Sequence, residues 1–226
     1  MIRKNKAAFI GLLLILFIAL PAYVIVYNNF KPSIPMGLLK TLGTLISILF
    51  CVYAVTKKPT KLNILVLIAL IFGIVGDYYM LFNVYIGGSF FLIGNIFYIY
   101  LLLSNHSYNK TTLYIFLPIT LVVVVIALIL LSSIGPLRYA VCVYIAGVIF
   151  MGCNGFTLYK SEKTIFNTYF GLGALLFTIS DFLLSFKFIL NDPPYYAFVN
   201  LSVYYVAQFF IAMSVYLQVV EDGKKN

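Results

Sequence analysis

LNILVLIALIFGIVGDYYML, residues 62–81, contains a single charged side chain, Asp77. A helix needs about 20 apolar residues to cross about 30 Å of hydrocarbon, so this stretch reads as a membrane span. Its apolar residues are continuous rather than alternating, which excludes a strand of a transmembrane barrel. A carboxyl in such a run costs about 2.5–3.5 kcal/mol on insertion scales, which makes Asp77 a functional candidate.

Outward from this stretch the pattern recurs. Seven further apolar runs cover 7–27, 36–55, 90–103, 113–132, 137–158, 166–186 and 195–219, and the short one at 90–103 is expected to begin nearer Gly88. Turn or charge chemistry separates them at Asn28 to Pro35, Lys57-Lys58-Pro59, Asn83 to Gly88, Asn105 to Lys110, Ser132 to Pro136, Lys160 to Lys163 and Asn191 to Pro194. The expected fold is all-α: an eight-helix polytopic integral membrane protein, with 1–226 as a single transmembrane domain. Arg3, Lys4 and Lys6 before an apolar run resemble a signal peptide. The region of Ala19 to Ala22 lacks an A-x-A cleavage pattern, however, and the run reaches Tyr27, so it reads as the first span.

Composition agrees. Of 226 residues, 63% are hydrophobic and 9% charged, against about 45–50% and about 25% in soluble domains. Soluble enzyme, disordered tail, secreted disulfide domain and nucleic-acid binder are all poor readings. The net charge of +9 is carried by short loops, and no nucleic-acid partner is expected. Cys51, Cys142 and Cys153 lie inside apolar runs and read as small apolar fillers, with neither a disulfide framework nor a metal motif.

Charge asymmetry orients the spans. The N-terminus, the 2–3, 4–5 and 6–7 loops and the C-terminus carry eleven basic residues: Arg3, Lys4, Lys6, Lys57, Lys58, Lys61, Lys110, Lys160, Lys163, Lys224 and Lys225. The other side has four, Lys31, Lys40, Arg138 and Lys187. The positive-inside rule then places both termini in the cytoplasm, with the plasma membrane as the expected site in a bacterium.

Asp77 and Asp181 are the only acidic residues within the spans. Each lies 15 residues past the start of its run, Leu62 or Phe166, so both sit about 22 Å from the inner face. Lys40, Asn95, Tyr98, Asn200, Tyr204 and Gln208 fall in the same outer slab when their spans are read from the outer end, and Tyr205 is close to it. The bland alternatives are helix–helix hydrogen bonding by protonated aspartates and, for Lys40, snorkelling to the interface. Ile-Val-Gly76-Asp77-Tyr-Tyr resembles Thr-Ile-Ser180-Asp181-Phe-Leu 104 residues later, and Asn95 and Asn200 follow their aspartates by 18 and 19 residues. This weak repeat suggests a 4+4 parallel arrangement about an axis along the membrane normal, with the aspartates on opposite walls of one cleft. Chance similarity between apolar helices is the competing account.

Other chemistries are excluded. The only histidine, His106, sits in a loop and reads as solvated; one histidine builds neither a His-rich zinc site nor, from outside the slab, a Ser–His pair. No Gly-x-Ser-x-Gly elbow occurs. No metal and no cofactor are expected.

Gly76-Asp77, Phe91-Leu92-Ile93-Gly94-Asn95-Ile96-Phe97-Tyr98, Gly173-Ala174-Leu175-Leu176-Phe177 leading to Ser180-Asp181, and Tyr204-Tyr205-Val206-Ala207-Gln208 together resemble the YhhN family of lysoplasmalogenase-like eight-helix membrane proteins. Lys40 resembles a lysine of that family's second span. Two positions depart from the pattern. Asn95 stands where the family usually has histidine, and Thr41 follows Lys40 where proline is usual. The resemblance implies hydrolysis of the vinyl ether bond of a lysoplasmalogen or related lysophospholipid, with Asp77 and Asp181 catalytic. It also implies that Lys40, Tyr98, Tyr204 and Gln208 contact substrate, with Asn95 a further candidate by its own hydrogen-bonding chemistry, and that the partners are that substrate and the membrane lipids.

The residues suit the reaction. Vinyl ether hydrolysis begins by protonating the β-carbon, leaving an oxocarbenium ion that water attacks. It needs one carboxyl as acid and one carboxylate to stabilise the cation or activate water, and a carboxyl pair sharing a cleft titrates as a unit. Either aspartate fits either role. Lys40 suits a lipid phosphate, while Asn95, Tyr98 and Gln208 suit a water or a glycerol hydroxyl. A second class fits the composition equally: a proton- or cation-coupled transporter or lipid-binding protein using the same aspartates. An aspartyl intramembrane protease is a third reading with no further support.

Overall fold

The structure is a computed structural model, and it describes residues 5–29, 32–105, 110–130, 135, 137–189 and 194–225. Among the described residues all regular structure is helical, and eight helical segments are long and apolar enough to cross a membrane. The first segment is compound: α1 (Lys6–Leu14) runs through a π-helical turn at Ile15–Ala19 into α2 (Leu20–Asn29). Pro21 accounts for the turn. It has no N–H, and its ring crowds the preceding carbonyls, so the helix widens and the Leu20 N–H donates five residues back, to the Ile15 carbonyl. The other spans are α3 (Ile34–Lys57), α4 (Lys61–Met80), α5 (Val84–Asn105), α6 (Lys110–Leu130), α7 (Leu137–Lys160), α8 (Ile165–Ile189) and α9 (Pro194–Lys225).

Local chemistry sets the boundaries. Lys58 precedes Pro59 and is extended, which ends α3. Thr60 then caps α4, its hydroxyl accepting from the Asn63 N–H at 3.2 Å. Asn83 caps α5 by accepting from the N–H groups of Tyr85 and Ile86 at 3.0 and 3.2 Å. That cap corrects the expected turn from Asn83 to Gly88: α5 starts at Val84, and both glycines lie inside the helix. α9 likewise continues six residues past Val219, to Lys225. His106 and the 191–193 segment lie outside the described residues.

α9 is the most enclosed span and α6 the least, with α6 packing chiefly on α7. The outward faces carry Phe17, Leu121, Ile129 and similar side chains, as contact with lipid requires. The neighbour relations repeat between the halves. α3, α4 and α5 pack in succession, as α7, α8 and α9 do, while α3 leans on α9 as α7 leans on α5. That exchange is the one a twofold axis along the bundle demands. The first span breaks the pattern by leaning on α9, a packing that α6 does not match on α5 among the described residues. At the end of the bundle away from Asp77, Lys58 and Asp222 form an exposed ion pair at 2.7 Å, tying α9 to the α3–α4 turn.

Candidate active site

The packing of α3 on α9 and of α5 on α7 leaves a narrow cleft between the α4–α5 and α8–α9 pairs. Lys40 enters it from α3, Asp77 and Met80 from α4, Phe91 from α5, Ser180, Asp181 and Leu184 from α8, and Asn200, Leu201 and Tyr204 from α9. The two aspartates, 104 residues apart in sequence, therefore face one space. Its volume is about 30 Å³, room for water rather than for a lipid.

Asp77 is fully buried, and its Oδ2 accepts from the Thr44 hydroxyl at 2.5 Å and the Tyr204 hydroxyl at 3.0 Å. Tyr204 is itself held in place, because Gln208 Nε2 donates to its oxygen at 3.1 Å and its proton is thereby directed at Asp77. Gln208 Oε1 in turn accepts from the Tyr98 hydroxyl at 3.3 Å. Thus Tyr98, Gln208 and Tyr204 form a chain of donors that starts deep in the bundle and ends on Asp77. Buried polar groups far from water need such pairing, and a chain with one direction holds the carboxyl in a single orientation.

Asp181 is served from the other side. The Tyr144 hydroxyl of α7 donates to its Oδ2 at 2.6 Å. Asn200 Nδ2 donates to the Ser180 carbonyl at 2.5 Å, fastening α9 to α8 beside it. The Tyr205 hydroxyl donates to the Lys40 carbonyl at 2.6 Å, which fixes α9 against the turn of α3 that carries the cation. Phe91 lines the cleft from α5, its ring set edge-on to Tyr204 with centroids 5.9 Å apart.

Of the residues singled out from sequence, Lys40, Asp77, Asp181 and Tyr204 line the cleft, with Asn200 among them. Tyr98 and Gln208 do not; they reach it only through Tyr204. Asn95 is buried and lies one helical turn from Phe91 and one from Tyr98. Thr44 and Tyr144 were missed. Thr44 is one turn beyond Lys40 on the same face of α3, and Tyr144 lies eight residues into α7, at the depth of Asp181. Reading every span at that depth for hydroxyls would have found both. Among the described residues no three His, Cys, Asp or Glu side chains gather as a metal site would require.

The profile of the YhhN family matches residues 37–215, from the start of α3 to within α9, and leaves the first span outside the match. No curated protein and no solved structure matches the chain.

Proposed function

The chain belongs to the YhhN family, and from that premise we propose that it is a membrane hydrolase that cleaves the vinyl ether bond of a lysoplasmalogen or related lysolipid. The observation that supports this most is the meeting of two carboxyls, Asp77 and Asp181, with one cation, Lys40, on a single cleft of an apolar bundle. A lone buried carboxyl has a structural use; two facing the same water-sized space are suited to proton transfer.

In this reading one carboxyl gives its proton to the alkenyl carbon β to the ether oxygen. The adjacent carbon becomes an oxocarbenium ion, stabilised by the second, ionised carboxyl. Water adds to that carbon and passes a proton to the carboxylate. The hemiacetal then collapses to a fatty aldehyde and the free glycerol hydroxyl, which restores the starting proton count. Lys40 takes the lipid phosphate as a point charge, and the Tyr204 and Tyr144 hydroxyls hold the carboxyls in register. For a lipid to reach the carboxyls, side chains such as Met80, Leu184 and Leu201 must turn aside, a change on the timescale of rotamer hops. By the charge split the cleft opens on the outer side of the membrane and both termini are cytoplasmic.

The test is to incubate purified protein with a lysoplasmalogen and with an ester lysophospholipid, and to measure aldehyde and fatty acid. Aldehyde from the first, without fatty acid from the second, is expected; no aldehyde removes the reading. The donor chain from Tyr98 to Asp77 favours one alternative, a proton- or cation-coupled transporter. Proton-driven lipid uptake into proteoliposomes without bond cleavage would establish it instead.

A further inference from the structure

We propose that Asn95 is the core of a second polar subsite, one turn inward of the cleft, that holds a single neutral hydroxyl-bearing group. That group is either the water that attacks or a free hydroxyl of the lipid's glycerol. The proposal rests on the hydrolase reading and deepens it.

Three observations carry it. Asn95 is 1% exposed, and neither its amide oxygen nor its amide nitrogen has a hydrogen-bond partner among the described residues. Buried amides are almost always paired, and this one lies in an apolar helix between the buried Phe91 and Tyr98, where an apolar side chain would do better if packing were its only task. Its place is also specific. Phe91, Asn95 and Tyr98 lie at i, i+4 and i+7 of α5, all buried on one face. Phe91 lines the cleft, so Asn95 stands about 6 Å farther along the axis, at four residues of rise. Finally, the buried amide of α9 behind the cleft is already engaged: Gln208 donates its N–H to Tyr204 and accepts from the Tyr98 hydroxyl.

The amide selects the ligand class. It presents one acceptor and two N–H donors together. A carboxylate or phosphate would use only the donors, and an ammonium group only the acceptor. A water or alcohol donates and accepts at one oxygen and satisfies both sides. In a lysolipid the glycerol carries a free hydroxyl that a fully acylated lipid lacks, so a substrate hydroxyl at Asn95 would make it a specificity-determining residue. A water there would make it a positioning residue for the hydration step.

The experiment compares wild type with Asn95→Leu and Asn95→His, with thermal melting in detergent as the check on folding and Asn95→Ala as substitute if Asn95→Leu does not fold. Substrates are a lysoplasmalogen and its 2-deoxy analogue, and binding is measured with uncleavable 1-O-alkyl lysolipids with and without the hydroxyl. If the lipid's hydroxyl is the ligand, Asn95→Leu raises KM for the lysoplasmalogen roughly tenfold, to the level of the deoxy analogue, and abolishes the binding preference for the hydroxyl. If water is the ligand, kcat falls roughly tenfold on both substrates while KM and binding hold. Asn95→His keeps a donor and an acceptor, and turnover near wild type with no new titration step around pH 6.5 is expected. A hundredfold rise carrying such a step would assign a proton-transfer role to the position and overturn the proposal. So would a folded Asn95→Leu with wild-type kcat, KM and binding. Should wild type itself release no aldehyde, the hydrolase reading fails alone. The binding arm then decides the subsite: loss of hydroxyl preference in Asn95→Leu supports it, and unchanged binding ends it.

Discussion

Asp77 and Asp181 share a cleft but differ in what holds them: Thr44 and Tyr204 both donate to Asp77, and Tyr144 donates to Asp181. Replacing either carboxyl by an amide keeps size and hydrogen bonding but removes both the transferable proton and the charge. Asp77→Asn and Asp181→Asn are each expected to lower turnover about 10²–10⁴-fold, the usual scale of general acid–base work. The double variant should be little worse than the worse single one, because groups acting as a unit are not additive. Aldehyde release by folded, membrane-inserted variants checks this, and near-full turnover in either single variant returns that aspartate to a structural role. The donors give a milder prediction. Tyr144→Phe deletes one hydrogen bond to a partly buried carboxyl, worth about 1.5–3 kcal/mol if that carboxyl is charged. Turnover should fall roughly tenfold or more, with less effect on lipid binding. The aspartates were legible because a charge inside an apolar run stands out at once. Thr44 and Tyr144 were not, because a hydroxyl costs little in a span, and only the facing helix shows whether it has a carboxyl to serve.

At the scale of elements, α8 is the helix on which the site depends, since it carries Asp181 and is gripped on both sides. A Cβ at Gly171 would stand 2.7 Å from the Gly155 carbonyl oxygen and 2.9 Å from the Tyr159 nitrogen. One at Gly173 would stand 2.9 Å from the Ile211 nitrogen and 3.0 Å from the Ala207 carbonyl oxygen. These are backbone atoms, so no rotamer change relieves them and the helices themselves must part. Small residues that let backbones approach are the usual means of helix association in lipid. Gly171→Ala and Gly173→Ala are each expected to cost about 1–3 kcal/mol, seen as a lower melting temperature in detergent. Gly173→Ala should also lower turnover, because it moves α9, with Tyr204 and Gln208, away from α8. An unchanged melting temperature for both would mean that α8 is packed more loosely than described. Although the Thr60 cap emerged only in the structure, element boundaries were legible where proline chemistry is strong, at Lys58-Pro59. The start of α5 was not, since Gly87-Gly88 reads as a turn until Asn83 is seen capping the helix ahead of it.

For the molecule as a whole, the orientation in the membrane is the property to test. In the orientation proposed from the eleven-to-four split of basic residues, Lys57–Lys61 faces the cytoplasm and the Leu81–Asn83 turn faces out. Single cysteines introduced at these two turns should label with an impermeant reagent in intact cells only at the second. Labelling at Lys57–Lys61 would invert the bundle and move the cleft to the cytoplasmic leaflet. Sequence by itself determined the number of spans, their helical nature and the shared depth of the two aspartates. These follow from hydrocarbon thickness and helical rise, which are one-dimensional constraints. Only the tertiary structure decided that α3 leans on α9 and α7 on α5, so that carboxyls 104 residues apart meet across one cleft. It also showed that Tyr98 and Gln208 stand behind Tyr204 and that Asn95 has no hydrogen-bond partner among the described residues. Those relations depend on the rotation of each helix about its own axis. In a uniformly apolar span that rotation leaves almost no trace in the sequence, and it is fixed only when the neighbouring surfaces close on one another.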